Sequence, residues 1–243
     1  MANINFPATQ AQKVTSLWNN SYALADEGGY FMANTTTVAS GQAGGTGIAT
    51  TTSVVDDAAT ASATHAQNVP VAHMWNTSSP ASQSSKSIYL QYIKMILTAV
   101  PTSATNWNFA MRADSVNRFT SGGTQLVPIN PNTIFPNTSI MLIQFGAVVT
   151  TSLPSGAQRV LARGQIQSTV PVVQDEWWFT FGDVSMPTGM IMTATTVKKL
   201  VIPCGPIVLG PGWGMTLEMW GTSNAAAPAW EAEFAWVERI SGQ

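Results

Sequence analysis

The chain has 243 residues and a mass of 25.8 kDa, and its 10 lysines and arginines against 12 aspartates and glutamates give a formal net charge of −2. Charged residues make up only 9% of the chain, compared with about 25% in an average globular protein. The 9 Trp, 9 Phe and 4 Tyr exclude a disordered polyelectrolyte, which has high net charge and few aromatic residues. Cations so few and so thinly spread argue against a nucleic-acid partner.

The sequence also argues against a membrane partner. A spanning helix needs about 20 uninterrupted apolar residues, whereas the best apolar run, 140–149, contains Gln144 and Gly146. The first residues lack the basic and apolar regions of a signal peptide, and the single Cys204 allows no internal disulfide. We therefore expect a protein that is made in a cytoplasm.

A short helix is predicted near the N-terminus. It begins at Pro7 with a capping box formed by Thr9 and Gln12, and Gly28 ends it. Its apolar face has helical spacing and comprises Val14, Leu17, Trp18, Tyr22 and Ala25. A helix of about 17 residues is marginal in isolation, so this face needs a packing partner.

The segment that follows has a distinct composition. Between Glu27 and Lys86, the only ionisable residues besides two histidines are Asp56 and Asp57, and residues 41–64 are rich in Gly, Thr, Ala and Ser. Such residues bury too little apolar surface to fold alone. We predict that residues 1–80 form a helix and an extended arm, and that residues 81–243 form a separate domain.

That second domain is predicted to be a β-sandwich. Its strand candidates are bounded by clusters of Pro, Gly, Asn or Ser, and they cover residues 88–98, 107–111, 140–150, 159–167, 176–181, 191–202, 215–220 and 230–239. The first two are predicted to pair as a hairpin. About eight regularly spaced strands favour a mainly β fold, an antiparallel sandwich or barrel, and among such folds an antiparallel jelly-roll sandwich fits best.

Alternation assigns the faces of the first and last candidates. In the first, Ile88, Leu90 and Tyr92 share one face, opposite Tyr89, Gln91 and Ile93. In the last, Trp230, Ala232, Phe234 and Trp236 oppose Glu231, Glu233, Ala235, Val237 and Arg239. The aromatic face of the last strand is predicted to close the core.

The sequence offers little for nucleophilic or metal chemistry. His65 and His73 both lie in the low-complexity region, ahead of the predicted sheet, where no rigid element would orient a base. Cys204 has no partner at metal-ligand spacing, and Asp56 with Asp57 is more typical of a solvated turn than of a calcium site. We predict no catalytic residues, no metal and no cofactor.

Glu231 and Glu233 are the strongest acid/base candidates, because two carboxylates on one strand face are the pair that a glycoside hydrolase uses. Carboxylates two residues apart more often keep a strand face soluble, and the available counter-charges are Arg239, or Lys198 and Lys199. The glycine-containing segment 205–214 lacks the Lys-Ser/Thr of a phosphate-binding loop.

Aromatic residues supply the interface candidates. Trp177 and Trp178 point to opposite faces of one strand, so one is predicted to be in the core and the other exposed or at an interface. The full set of candidate interface residues is Trp18, Tyr22, Tyr30, Phe31, Trp75, Trp177, Trp178 and Trp213.

Three segments, 92–114, 117–132 and 202–220, together with the final strand ending in Trp-Val-Glu-Arg-Ile, resemble the jelly-roll virion proteins of tailed bacteriophages. They are particularly similar to trimeric capsid decoration, or cement, proteins. The resemblance covers about residues 88–240. It implies a jelly roll that trimerises through apolar sheet faces, an N-terminal arm that grips capsid subunits, and no catalytic residues.

The leading hypothesis is therefore a non-catalytic protein of the capsid surface, whose partners are the major capsid protein and two further copies of itself. The alternative is a fibre, tail or baseplate jelly roll that binds host glycans through exposed tryptophans. A third hypothesis, a glycan-cleaving enzyme, depends on Glu231 or Glu233.

Overall fold

The computed structural model describes residues 25–35, 48–49, 55–56, 69–82, 84–100, 105–134, 136–151, 159–182, 198–222 and 228–240. Within these ranges the chain is mainly β, with fourteen strands in two seven-stranded sheets. No helix in the described part of the chain has the length and hydrophobicity required to cross a membrane.

The strands are β1 (Tyr30–Asn34), β2 (Ile48–Ala49), β3 (Val55–Asp56), β4 (Ala72–Asn76), β5 (Lys86–Ala99), β6 (Thr105–Asp114), β7 (Phe119–Leu126), β8 (Met141–Thr150), β9 (Arg159–Gln167), β10 (Glu176–Phe181), β11 (Lys199–Cys204), β12 (Val208–Leu209), β13 (Gly214–Thr222) and β14 (Ala229–Ile240). The first sheet has the order β1-β14-β5-β10-β11, and the second has the order β7-β8-β4-β13-β6-β9. The short strands β2 and β12 join the first sheet, and β3 joins the second.

Four neighbouring strands in each sheet, β1-β14-β5-β10 and β4-β13-β6-β9, follow the winding of a jelly roll. In chain order, the strand that follows lies in the other sheet after β2, β4, β5, β9, β12 and β13. The β7–β8 hairpin widens the second sheet beside β4. This sandwich agrees with the fold class predicted from the sequence.

Two predictions about strand pairing were wrong. The first two strand candidates do not form a hairpin, because β5 pairs with β14 and β10 in the first sheet while β6 pairs with β13 and β9 in the second. The sandwich is also not purely antiparallel, because β11 runs parallel to β10. Residues 191–197, the first part of the strand candidate that leads into β11, lie outside the described residues.

The first 80 residues contribute strands to both sheets. β1 pairs with β14 and places Phe31 and Ala33 in the core, and β4 lies between β8 and β13. The predicted helix lies outside the described residues except at its end, where Gly28 has a φ of 68° and its N–H donates to the Ala25 carbonyl over 2.9 Å. A boundary at residue 80 therefore does not separate an arm from the sandwich.

Aromatic side chains from both sheets form the core. The ring centroid of Trp107 on β6 lies 5.6 Å from that of Trp177 on β10 and 6.2 Å from that of Trp230 on β14. The Trp177 and Trp230 centroids are 4.5 Å apart. Phe109 packs against Phe179 across the sheets at 5.0 Å. These rings are almost fully buried, and aromatic pairs at such distances contribute about 0.5–1.5 kcal/mol beyond their burial.

The aromatic face of β14 was predicted correctly, because Trp230, Ala232, Phe234 and Trp236 are all buried. The predicted alternation along β5 was wrong. A bulge at Gln91 places Tyr92 opposite Ala235 and Leu90 opposite Trp236. The next core residue after Leu90 is therefore Ile93 rather than Tyr92. Tyr92 consequently points to the outer face of the first sheet.

Candidate functional site

A polar row crosses the outer face of the first sheet. The strand register aligns Asn34 on β1 with Glu233 on β14, Glu233 with Lys94 on β5, and Lys94 with Trp178 on β10. Cross-strand neighbours on one face lie close enough for their side chains to interact. The register thus gathers an amide, a carboxylate, an ammonium group and an indole that are widely separated in the sequence.

Two tyrosines are bonded to this row. The hydroxyl of Tyr92 donates a hydrogen bond to Glu233 Oε1, and it also shares a hydrogen bond with Tyr30. Burial, followed by the charge of Glu233, raises the pKa of Tyr30. Burial and the hydrogen bond to Glu233 raise the pKa of Tyr92 well above its usual value. Both tyrosines therefore remain neutral hydrogen-bonding groups at ordinary pH.

The half-buried Trp178 ring is held on three sides. Lys94 Nζ lies 5.0 Å from its ring centroid, and the Tyr92 ring lies 5.4 Å away at an angle of 40°. Trp178 Nε1 donates to Glu176 Oε2 over 3.2 Å, and Glu176 Oε1 forms an ion pair with Lys199 at 3.2 Å. The indole therefore has a defined orientation at the protein surface.

A shallow depression of about 40 Å³ lies at one end of the row, lined in part by Asn34, Lys94, Glu231 and Glu233. Glu231 Oε1 is sheltered from solvent and has no hydrogen-bond partner among the described residues. The outer-face cluster is defined here as Tyr30, Asn34, Tyr92, Lys94, Trp178, Glu231 and Glu233. Its depression is far smaller than the roughly 300–1,000 Å³ of a pocket that encloses a small molecule.

A second polar group lies on the outer face of the second sheet and is much more deeply buried. Arg112 Nη2 and Glu218 Oε2 are 3.1 Å apart, with their side chains 8% and 0% exposed. Thr216 pairs with Arg112 on one side and with His73 on the other. Burial lowers the pKa of His73 to about 4, so this imidazole is neutral at pH 7.

This second group lacks the geometry of a nucleophilic site. The Thr216 hydroxyl is buried and has no hydrogen-bond partner among the described residues, so it makes no nucleophile–base contact with His73. The cavity between them and Asp114 measures about 10 Å³, which is room for about one water molecule. The arrangement packs charges inside the protein rather than opening them to a substrate.

The predicted interface residues lie in different parts of the structure. Phe31 and Trp177 are fully buried in the core, which leaves neither ring free for a partner. Tyr30 and Trp178 belong to the outer-face cluster, so Trp178 is the partly exposed member of the tryptophan pair. Trp18 and Tyr22 lie outside the described residues.

Trp75 and Trp213 are half-buried and lie elsewhere. The Trp75 ring lies against Gly214 of the neighbouring strand, where an added Cβ would come within 2.6 Å of it. The Arg159 guanidinium lies 4.7 Å from the Trp213 ring centroid. Of the six candidates that lie in the described part of the chain, the structure brings together Tyr30 and Trp178.

The candidates for metal and nucleophile chemistry are also dispersed. His73 lies in β4 rather than ahead of the sheet, while His65 and Asp57 lie outside the described residues. Burial raises the pKa of the Cys204 thiol to about 11, which keeps it protonated and unreactive. In the described ranges, no three His, Cys, Asp or Glu residues are grouped so that they could hold a metal ion.

Sequence reasoning missed Tyr92, Lys94 and Glu176 as members of the surface. Their positions depend on which strands pair and on the bulge at Gln91, and neither is encoded in the alternation of a single strand. Glu231 and Glu233 were identified as a carboxylate pair on one face of β14, and the structure places them there beside Lys94.

Comparison with protein-family models and with curated proteins gives no match. Among solved structures, the chain has a low similarity to a chain described as the unassembled KI polyomavirus VP1 pentamer. The TM-score is 0.25 and the sequence identity is 11%, with 88% of this chain and 93% of the other covered.

Proposed function

We propose that the chain is a non-catalytic structural protein of a virus particle that binds to and stabilises the outside of a capsid, as a decoration protein does. The observation that carries this proposal is a sandwich with the jelly-roll strand order whose two described depressions are too small to enclose a substrate. Such a molecule acts through its surfaces. The low charge content and the resemblance to phage virion proteins support the same role.

A rigid apolar loop is suited to contacts between subunits. Val170, Val172 and Val173 are 41%, 37% and 47% exposed in the connection between β9 and β10. The buried Asp175 holds this loop, because its carboxylate accepts the N–H of Val172 over 2.9 Å and that of Lys198 over 2.7 Å. Neighbouring apolar side chains on an ordered loop are typical of a protein-binding surface.

We assign this loop to a homotrimer interface. Light scattering of the full chain should then give three times 25.8 kDa, or 77.4 kDa. Val173→Asp should lower the mass toward that of the monomer, because it places a charge in the interface. The matched control is Val160→Asp, at another exposed valine, which should leave the trimer intact. A monomeric wild-type chain would contradict the assignment.

Binding to the capsid is tested with virus particles that lack this chain. Purified chain added to them should co-sediment with the particles in a density gradient and should raise the temperature at which they release their genome. A chain that stays at the top of the gradient would contradict a decoration role.

A further inference from the structure

Besides the valine-containing loop at residues 170–173, the sandwich carries a second exposed apolar loop at residues 127–134, in the connection between β7 and β8. Val127, Ile129 and Ile134 are 73%, 52% and 75% exposed. Val127 and Ile134 are more exposed than any other large hydrophobic side chain in the described ranges. Apolar side chains exposed to this extent in one loop are typical of a surface that binds another protein.

Hydrogen bonds hold the 127–134 loop against β1 and the residues before it. Ile129 and Met32 exchange backbone hydrogen bonds of 2.6 and 2.9 Å. The Asn132 side chain donates to the Asp26 carbonyl over 2.8 Å, and its Oδ1 accepts the N–H of Ile134 over 2.9 Å. A loop that is ordered before it binds loses less conformational entropy on binding.

The 127–134 loop and the 170–173 loop lie toward opposite ends of the sandwich. The connection that contains the 170–173 loop bonds to Leu97, which pairs with Trp230 near the start of β14. Asn130 donates to the Gly28 carbonyl over 3.0 Å, and the residue after Gly28 accepts the N–H of Glu238 near the end of β14. These two positions of β14 are about 26 Å apart, at about 3.3 Å per strand residue. A trimer that forms through the 170–173 loop therefore leaves the 127–134 loop exposed.

Charged side chains beside the 127–134 loop indicate the chemistry of its partner. Asp26 and Glu27 are exposed, and neither forms an ion pair with another described residue. Arg239, near the end of β14, is also exposed, so one positive charge stands against two negative charges. An apolar surface bordered by excess negative charge fits a partner with an apolar groove bordered by lysine or arginine.

We propose that the 127–134 loop is the surface through which the chain attaches to the capsid, and that the capsid offers it an apolar groove bordered by basic side chains. This inference rests on the decoration role proposed above and names the surface that performs it. Val127 and Ile134 enter the groove, and Asp26 and Glu27 face the basic side chains. The 170–173 loop, toward the other end of each sandwich, joins the three copies.

The first test compares Ile134→Asp with Val160→Asp, a matched variant at an exposed valine outside both loops. Each variant and the wild-type chain are added to virus particles that lack the chain, and the bound fraction is measured by co-sedimentation. Ile134→Asp should weaken binding about tenfold or more, because it buries a carboxylate in an apolar groove. Val160→Asp should bind as the wild-type chain does. Light scattering should give the mass of a trimer for all three proteins.

A second test addresses the charge of the partner. Glu27→Lys should weaken binding at low salt and should weaken it less at high salt, because salt screens the repulsion between the new lysine and the basic border of the groove. A Glu27→Lys chain that binds as tightly as the wild-type chain at low salt would contradict the basic border.

A third measurement uses the wild-type chain alone. Hydrogen exchange of the backbone amides in the 127–134 loop should slow about tenfold or more when the chain binds to the particles. Exchange in the 170–173 loop should stay unchanged, because the trimer already covers it.

The outcomes separate this inference from the proposed function. A wild-type chain that does not bind to the particles contradicts both. If the wild-type chain binds, then equal binding by Ile134→Asp, or unchanged exchange in the 127–134 loop, overturns the attachment surface and leaves the decoration role standing. A monomeric Ile134→Asp also overturns the inference, because the 127–134 loop would then belong to the trimer interface.

Discussion

The outer faces of the two sheets carry similar side chains at very different depths. On the first sheet, Glu233 lies between Tyr92 and Lys94 at a partly exposed surface. On the second, the Glu218 carboxylate is completely buried against Arg112. Removing one partner of a buried ion pair is expensive, whereas the interactions of a partly exposed carboxylate are screened by water and contribute less. Depth therefore decides which face contributes stability and which face remains available for binding.

The largest expected effect separates two adjacent tryptophans. Trp177→Ala should lower the free energy of unfolding by about 3–5 kcal/mol, because it empties a fully buried site between Trp107 and Trp230. Trp178→Ala should cost about 1–2 kcal/mol, since that ring loses only half-buried contacts. Denaturant unfolding measures both. Equal losses would contradict the assignment of the two faces.

A matched pair of glutamates tests the two outer faces directly. Glu218→Gln should cost about 3–5 kcal/mol, because it leaves the Arg112 charge buried without its ion-pair partner. Glu233→Gln should cost about 1 kcal/mol or less, because the amide oxygen still accepts from Tyr92. Unfolding in urea at pH 7 gives both values. A larger loss for Glu233→Gln would reverse the comparison.

Acid should destabilise the second sheet through His73. Its pKa is about 4 in the folded chain against 6.5 for the free group, so the unfolded chain binds the extra proton between these pH values. Stability is full above about pH 6.5 and falls by about 3 kcal/mol as the pH drops to 4. The free energy of unfolding of the wild-type chain should fall between pH 7 and pH 4. In His73→Gln this fall should be smaller by about 3 kcal/mol. Identical losses in the two proteins would contradict it.

The smallest effect concerns the edge of the first sheet, where Asn130 and Asn137 both donate to the Gly28 carbonyl, over 3.0 and 2.9 Å. Asn137→Ala should cost about 1 kcal/mol, the net value of one such bond. Asn117→Ala, which removes only a local bond to the N–H of Phe119, should cost less. Thermal unfolding of both variants gives the comparison, and a greater loss for Asn117→Ala would refute it.

The sandwich could be predicted from the sequence because period-two alternation and turn residues are local signals, and Trp230 to Trp236 on β14 carry them strongly. Strand partners are not local. The switch of sheet between β5 and β6, and the bulge that turns Tyr92 outward, depend on pairing between residues more than a hundred positions apart. The same limit explains why β1 and β4 were assigned to an arm.

The candidate site was predicted only in part for the same reason. Tyr30, Trp178, Glu231 and Glu233 were each singled out by residue type, but their assembly around Lys94 follows from the register of four strands. Residue chemistry therefore identified members of the surface, and topology decided which of them meet.

A decoration role for this jelly roll is tested most directly by an electron cryomicroscopy map of virus particles purified from cells that produce the chain. We expect density for three two-sheeted sandwiches grouped together on the outside of the capsid shell. Density confined to a tail or fibre, or particles without the chain, would contradict it.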